Sequence, residues 1–207
     1  MCECCQSDYS ASSAFFDSIA EKWDSWEDLE SLQKKFANAL AGFGVRSDEH
    51  ILDVGCGTGN LTGALLLKLS AHGRITAVDI SPKMIEKAKS KVTDHRVEWV
   101  CCAVESLVGP KDLFDRIICY SVWPHLTDPE SAVVVFKRML KTNGMLHVWH
   151  LISRDAVNKI HAEADEAVSN HLLAPASQTA ALLEQSGFFI EDMQDDADGY
   201  LVTGRKL

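Results

Sequence analysis

Between Ile51 and Leu61 the chain reads Ile-Leu-Asp-Val-Gly-Cys-Gly-Thr-Gly-Asn-Leu, an apolar run followed by the alternating glycines Gly55, Gly57 and Gly59. Without Cβ atoms, these positions let a ligand come close to the backbone where a strand turns into a helix. A second apolar run, residues 74–78, leads into Asp79, 20 residues beyond Gly59. A carboxylate at that place accepts hydrogen bonds from both hydroxyls of a ribose. Loop and acid together point to a ligand that contains a nucleoside. The spacing is GxGxG rather than the GxGxxG of pyrophosphate loops, and Asp53 stands just ahead of it. An anion there repels a pyrophosphate and suits a ligand with a cationic amino acid head.

That description favours S-adenosylmethionine over a dinucleotide. Histidines supply a second chemistry. Two apolar runs end in the polar aromatic clusters Tyr120-Ser121-Val122-Trp123-Pro124-His125 and His147-Val148-Trp149-His150, and Arg154, Asn158 and His161 follow. At ~100° per residue, His150, Arg154, Asn158 and His161 fall within roughly 80° of one another on a helix. Three readings of this stripe stay open. It is a solvated face continuous with Glu163, Asp165 and Glu166. Or it is a substrate site, where Arg154 holds an anion, Asn158 orients it, and His125, His150 or His161 acts as general base. Or the three imidazoles hold a metal with one position open, which lowers an acceptor's pKa or takes a soft thiolate or metalloid directly. His147 alternates to the opposite side of its strand from His150 and reads as a packing residue.

The elements that must position these groups follow from periodicity. From residue 50 onward short apolar runs alternate with helical patterns, the mark of a parallel sheet with helices on both faces. Strands are expected at 51–54, 74–78, 97–101, 116–121 and 145–150, and helices at about 61–69, 82–91 and 129–140. Pro82 suits a first helical turn, where its missing N–H has no partner to lose, and Asn143-Gly144 forms the stop before the fifth strand. Ahead of this core, residues 13–43 look helical, with Phe15, Phe16, Ile19, Trp23 and Trp26 at helical steps and Leu29, Leu32, Phe36 and Leu40 after them. Behind it, a long helix is expected over 153–171, broken at Ala174-Pro175-Ala176, then a helix over 177–186 closed by Gly187. Runs at 188–193 and 200–205 flank an acidic turn and should pair as a hairpin.

These segments resemble the motifs of the class I S-adenosylmethionine-dependent methyltransferases of small-molecule type. Residues 51–61 look like the family's first motif, Asp79-Ile80-Ser81-Pro82-Lys83-Met84 like its second, and Phe114-Asp115-Arg116-Ile117-Ile118-Cys119 like its fourth. Leu140-Lys141-Thr142-Asn143-Gly144-Met145-Leu146 resembles the LKPGG turn into strand five, and Gly187-Phe188 with the hairpin matches the C-terminus. Phe16, Ala20, Trp23 and Asp24 resemble the N-terminal lid. The resemblance covers essentially the whole chain and is specific for cofactor and fold, not for substrate. It implies an α/β, Rossmann-like, seven-stranded, mostly parallel sheet with a C-terminal antiparallel hairpin. It also implies S-adenosylmethionine as cofactor and S-adenosylhomocysteine as product. Asp53, Gly55, Cys56, Gly57 and Gly59 would frame the methionine part and Asp79 the ribose. Ile80 and Met84 would sandwich the adenine, Trp23 would close over the site, and Cys119 and Tyr120 would lie beside the sulfonium, with Tyr120 also facing the acceptor. Where many relatives read GDAE, this chain has Cys102-Ala103-Val104-Glu105, so a backbone contact from Val104 would replace the aspartate on the adenine amine.

Composition narrows the partners. The 207 residues carry 20 Lys+Arg against 30 Asp+Glu, a formal net charge of −10, and no basic run offsets it. That balance repels nucleic acid. No apolar run approaches the ~18 residues of a membrane span, and the N-terminus lacks a basic and then apolar leader, so a cytoplasmic protein is expected. Seven cysteines, with the adjacent pairs Cys4-Cys5 and Cys101-Cys102, fit reduced thiols better than a disulfide framework. Cys2, Cys4 and Cys5 have no second CxxC to complete a metal site and read as thiols of a tail. The expectation is one domain comprising a helical lid (1–49), a cofactor-binding core (50–150), an insertion (151–176) and a terminal helix and hairpin (177–207). Its expected activity is methyl transfer to a small-molecule acceptor, as a monomer or homodimer. The alternatives are transfer to a thiol, sulfide or metalloid, with a histidine-bound metal, and a non-catalytic sensor of S-adenosylmethionine or metal.

Overall fold

The computed structural model describes residues 11–207. The chain forms two compact units, one ending at Ser106 and the other starting at Leu107. Cys2, Cys4 and Cys5 lie outside the described residues.

In the first unit, α1 (Ala11–Ile19), a 3-10 turn (Trp23–Trp26) and α2 (Leu29–Gly42) precede β1 (His50–Val54), α3 (Asn60–Lys68), β2 (Arg74–Asp79), α4 (Pro82–Lys91) and β3 (Val97–Cys101). The strands lie in the order β3-β2-β1 and are parallel, with Ile51 opposite Ile75 and Ile75 opposite Val97. Ile51, Leu52 and Ile75 are fully buried, as strands apolar on both sides must be. Helix α1 packs on α4 and α2 on α3. Ser81 caps α4 by accepting the Met84 N–H, and Pro82 occupies the first turn as expected. The helical pattern over 13–43 is divided between α1 and α2 because the Asp28 carboxylate accepts the N–H groups of Glu30 and Ser31 and so starts a new helix.

The second unit contains β4 (Phe114–Tyr120), α5 (Pro129–Met139), β5 (Leu140–His150), α6 (Arg154–Ala162), α7 (Glu166–Ser169), α8 (Ala176–Gln185), β6 (Phe188–Asp196) and β7 (Gly199–Lys206). Its strand order is β4-β5-β7-β6, parallel between β4 and β5 and antiparallel thereafter. Phe114, Ile117, Ile118, Phe136 and Tyr200 form its buried centre. The seven strands and the terminal antiparallel hairpin are the mixed, mostly parallel α/β fold expected from the sequence.

Two boundaries differ most. Strand β5 begins at Leu140 rather than 145, because Leu140 already pairs with Phe114 before a register shift and Asn143 takes a left-handed φ of +63° within the run. The single helix expected over 153–171 is instead α6 and α7, because the Asp165 carboxylate accepts the Ala167 N–H and restarts the helix. No helix among the described residues is long and apolar enough to cross a membrane.

Candidate functional site

In the first unit, β1 feeds directly into the glycine loop. Gly55, Gly57 and Gly59 have φ of +67°, +52° and +82°, the left-handed region that L side chains avoid. The N–H groups of Gly55 and Cys56 donate to the Val78 carbonyl at 2.8 and 3.0 Å, fastening the loop to the end of β2. Two residues on, the Gly57 N–H donates to Asp79 Oδ2 and the Ser81 N–H to Asp79 Oδ1, both at 2.8 Å. The Ile80 N–H is a third backbone donor, and with about four acceptor positions on an ionised carboxylate the group is not saturated by the chain. Burial, helped by the negative charge of Asp17, outweighs those donors and pushes the Asp79 carboxyl up to about 6.

The loop is shaped on both sides. A Cβ at Gly59 would lie 3.2 Å from Ala88 Cβ and from the Trp99 ring, so this glycine lets α3 approach α4 and β3. A Cβ at Gly57 would meet only Trp23 Nε1, at 3.8 Å, among the described residues. The backbone at Gly57 therefore stays approachable beneath the Trp23 ring, and with Asp79 it fits the nucleoside part of S-adenosylmethionine. Met84 and Val104 are buried and Ile80 is half-buried.

Asp53 is 1% exposed, and its Oδ2 accepts the Thr62 hydroxyl at 2.6 Å. Burial dominates and, with the nearby Asp79 charge, pushes its carboxyl up to about 7 despite that donor. Its charge thus lies beneath the loop, tied to α3. Burial also raises the Cys56 thiol well above its ordinary range, which makes it a poor nucleophile.

The N-terminal segment is latched onto this loop. Asp24 Oδ1 accepts Thr58 Oγ1 at 2.6 Å and Asn60 Nδ2 at 2.9 Å, while Oδ2 accepts Lys91 Nζ at 2.6 Å. Burial pushes the Asp24 carboxyl up, but the Lys91, Thr58 and Asn60 donors prevail and hold it below the usual carboxylate range. A second latch joins α1 to the start of α4: Asp17 Oδ1 accepts the Ser81 hydroxyl at 2.6 Å and the Lys83 N–H at 3.0 Å. Of the residues read from sequence as a lid, Ala20 and Trp23 lie between these latches, Phe16 stands beside the second and Asp24 forms the first. Asp24→Ala is expected to cost about 1 kcal/mol of stability, since it strips one acceptor from three donors on a partly exposed site. Limited proteolysis should show faster cleavage between α1 and α2, and an unchanged cleavage rate would mean that Asp24 does not hold the lid.

In the second unit, Tyr120 closes β4 and packs against Trp149 with ring centroids 4.8 Å apart, while Cys119 is fully buried. The histidines gather nearby on other elements. His125 belongs to the 3-10 turn Trp123–His125, His150 ends β5, His161 is in the last turn of α6, and His171 follows α7. His125 and His161 have ring centroids 4.7 Å apart, and His125 Nδ1 lies 2.9 Å from His171 Nδ1. His161 Nδ1 donates to the His171 carbonyl. His150 is buried, and its Nε2 has no hydrogen-bond partner. Burial first, then the neighbouring imidazoles, bring the pKa of both His125 and His150 down to about 3. Both rings are neutral at pH 7.

This arrangement changes the stripe read from sequence. His150 is on a strand, so His150, Arg154, Asn158 and His161 do not share one helix face. Arg154 Nε lies 3.1 and 3.2 Å from the Asp195 carboxylate oxygens. Asn158 donates to the Leu173 carbonyl at 3.1 Å and accepts the Leu173 N–H at 2.7 Å. Arg154 thus ties the start of α6 to β6, and Asn158 fastens the segment after α7. His171 joins the cluster from that segment, and no sequence periodicity marks it. His147 is buried between Arg116 and Thr203, in the packing role expected of it.

Residues 52–148 match a family model described as a methyltransferase domain. Over 174 residues the chain is 30% identical to the ubiquinone/menaquinone biosynthesis C-methyltransferase UbiE of Proteus mirabilis, with 79% of this chain and 67% of that protein covered. The chain belongs to the class I S-adenosylmethionine-dependent methyltransferase family. It is also 34% identical over 128 residues to the malonyl-(acyl-carrier protein) O-methyltransferase of Anoxybacillus flavithermus, covering 62% of this chain and 49% of that protein. The chain thus spans about half the length of that relative. A solved S-adenosylmethionine-dependent methyltransferase from Aquifex aeolicus superposes with a TM-score of 0.69 at 19% identity, over 92% of this chain and 98% of that one. This last likeness shows the fold alone. The methyltransferase-domain match contains the loop, Asp79 and His125 but ends before His150, His161 and His171.

Proposed function

We propose that this protein transfers the methyl group of S-adenosylmethionine to a small-molecule acceptor and releases S-adenosylhomocysteine. The observation that carries the reading is Asp79, held at the end of β2 by backbone N–H groups of the glycine loop and of the start of α4. When bound, S-adenosylmethionine supplies an electrophilic methyl on a sulfonium. In this reading Asp79 takes the ribose hydroxyls, and the backbone of Gly55, Cys56, Gly57 and Gly59 follows the methionine part. The ionised form of Asp53 balances the cationic head from beneath. Ile80 and Met84 flank the adenine, with a backbone contact from Val104, and Trp23 closes over the loop to exclude water. Cys119 and Tyr120 are assigned to the sulfonium side. His125, His150 and His161 are assigned to the acceptor; Arg154 contributes by tying α6 to β6, and Asn158 by fastening the segment after α7. Orientation of the two reactants supplies most of the rate.

The acceptor class rests on the relatives, which are named for malonyl-(acyl-carrier protein) O-methylation and for C-methylation in ubiquinone/menaquinone biosynthesis. Only a small organic acceptor is carried over to this chain, in a cytoplasmic monomer or homodimer. Isothermal titration should show saturable binding of S-adenosylmethionine and of S-adenosylhomocysteine. Methyl-labelled cofactor incubated with a low-molecular-mass metabolite extract should then pass label to an organic product. Tight binding with no transfer to any pool would mark a sensor instead, and no binding would overturn the reading.

A further inference from the structure

Helix α1 buries polar residues and leaves its apolar ones half-covered. Its buried residues are Ser13 and Asp17, while Phe15, Phe16 and Ile19 are only half-buried. Ser13 and Asp17 share one face of the helix, a turn apart, and both reach the segment that follows β2. Ser13 Oγ donates to the Ile80 carbonyl at 3.1 Å. Asp17 Oδ1 accepts the Ser81 hydroxyl at 2.6 Å and the Lys83 N–H at 3.0 Å. At the start of α4, Pro82 has no N–H and Ser81 Oγ accepts the Met84 N–H at 3.1 Å, so the carboxylate that takes the Lys83 N–H completes the cap from 66 positions away. Ser81 is the node of this arrangement. A hydroxyl has one proton to give, and that of Ser81 goes to Asp17, which fixes its rotor. From the same residue the backbone N–H donates to Asp79 Oδ1 at 2.8 Å.

We propose that Asp17 is a positioning residue for S-adenosylmethionine, acting through Ser81 on the Asp79 carboxylate, so that docking of α1 and capture of the ribose are one coupled event. The inference rests on the assignment of Asp79 to the ribose. With α1 docked, Ser81 is held by its hydroxyl while its N–H is aimed at Asp79. Without Asp17 the hydroxyl is released and the Lys83 N–H loses its acceptor, which loosens the turn that orients Asp79. Coupling is reciprocal: whatever Asp17 adds to cofactor affinity, bound cofactor adds to the docking of α1. Charge gives this coupling a signature that a plain helix cap lacks. The titratable groups facing Asp79 are Asp17 from α1, Asp53 from β1 and Cys56 from the glycine loop. Strand β3 brings Cys101, whose thiol lies 3.9 Å from the Ile80 carbonyl. On α4, Lys87 and Lys91 are engaged by Glu21 and Asp24, and Lys83, Glu86 and Lys89 are exposed. After burial, the negative charge of Asp17 raises the Asp79 carboxyl. Removing that charge therefore lets Asp79 stay ionised, and competent for the diol, at lower pH.

Calorimetric titration of the full chain with S-adenosylmethionine and S-adenosylhomocysteine, from about pH 5 to about pH 8, tests this. Asp17→Asn keeps an acceptor oxygen and removes the charge, so the pH at which affinity falls away should move below that of the wild-type protein. Asp17→Ala removes acceptor and charge, and should in addition weaken binding about 10-fold at pH 8 through the unpartnered donors at the start of α4. In an Asp79→Asn background, which lacks the titrating carboxyl, Asp17→Asn should leave the pH profile unaltered. A residue that only capped α4 would lower affinity by the same factor at every pH, and a profile that does not move overturns the proposal. Thermal melts show which variants are folded. Wild-type protein tests the coupling with no substitution at all. Saturating S-adenosylhomocysteine should slow amide exchange over residues 13–20 as well as at the glycine loop, and protection confined to the loop overturns the proposal. Absence of binding by the wild-type protein overturns the cofactor reading itself. Wild-type binding, with an Asp17→Asn profile that coincides with it, overturns the role of Asp17 alone.

Discussion

Asp79→Ala is expected to weaken S-adenosylmethionine binding by about 100- to 10,000-fold, from two lost hydrogen bonds to a charged acceptor worth roughly 1.5–3 kcal/mol each. The loss has two parts. The diol loses both of its acceptors, and the Gly57 and Ser81 N–H groups lose the carboxylate that organises loop and helix start around the ligand. Isothermal titration measures the change, and a thermal melt shows whether the variant is folded. Asp79→Asn keeps one acceptor oxygen and replaces the other with an N–H donor, so its affinity should fall between wild type and alanine. Because the free carboxyl titrates near 6, wild-type affinity should also weaken as pH falls below that value. A folded Asp79→Ala protein with unaltered affinity would remove the ribose contact and with it the main support for the cofactor assignment.

Asp53→Asn should make the protein more stable at pH 8 and little different at pH 4, while weakening its hold on the cofactor. The sign follows from the direction of the shift. Asp53 titrates near 7 in the folded chain against an ordinary 3.8. Between about pH 4 and pH 7 the folded state keeps a proton that the unfolded state has released, so this group's contribution falls as pH rises and is gone above 7. Asparagine carries no such dependence and can still accept the Thr62 hydroxyl. The difference of about 3 units sets an upper bound of about 4 kcal/mol at pH 8, at 1.36 kcal/mol per unit. Urea unfolding of both proteins at several pH values tests it, and a stability difference that does not vary with pH would disprove it. Stability gained by neutralising a group that serves the ligand is the usual trade at a functional site. Here it would show that the buried carboxylate is retained for its charge.

Local signals carried far in this chain. The bounds of α4 and β3 follow from Pro82, the lysine-rich last turn and the run Val97–Cys101, apolar except at Glu98, and each depends on neighbours within a few positions. The glycine loop and Asp79 were legible for the same reason: φ above zero is a demand that a single residue type meets, and a strand end is a short-range event. The N-terminal helical segment was visible as an aromatic repeat. Its attachment was not, since Asp24 reaches Thr58 and Lys91 across 34 and 67 positions.

Thus residue types and spacing by themselves determined the α/β class, the nucleoside loop with its acid, and the presence of histidines after the fourth and fifth strands. Tertiary structure alone decided what those groups face. It broke the helix expected over 153–171 at Asp165, tied Arg154 to Asp195 and Asn158 to Leu173, and sank Asp53 beneath the loop. It also brought His171 from a loop against His125, 46 positions away. Periodicity repeats every two or 3.6 residues and reports only which way a side chain points from its own element. The partner it meets, and hence its tautomer and charge, depends on distant segments folding into the same few ångströms.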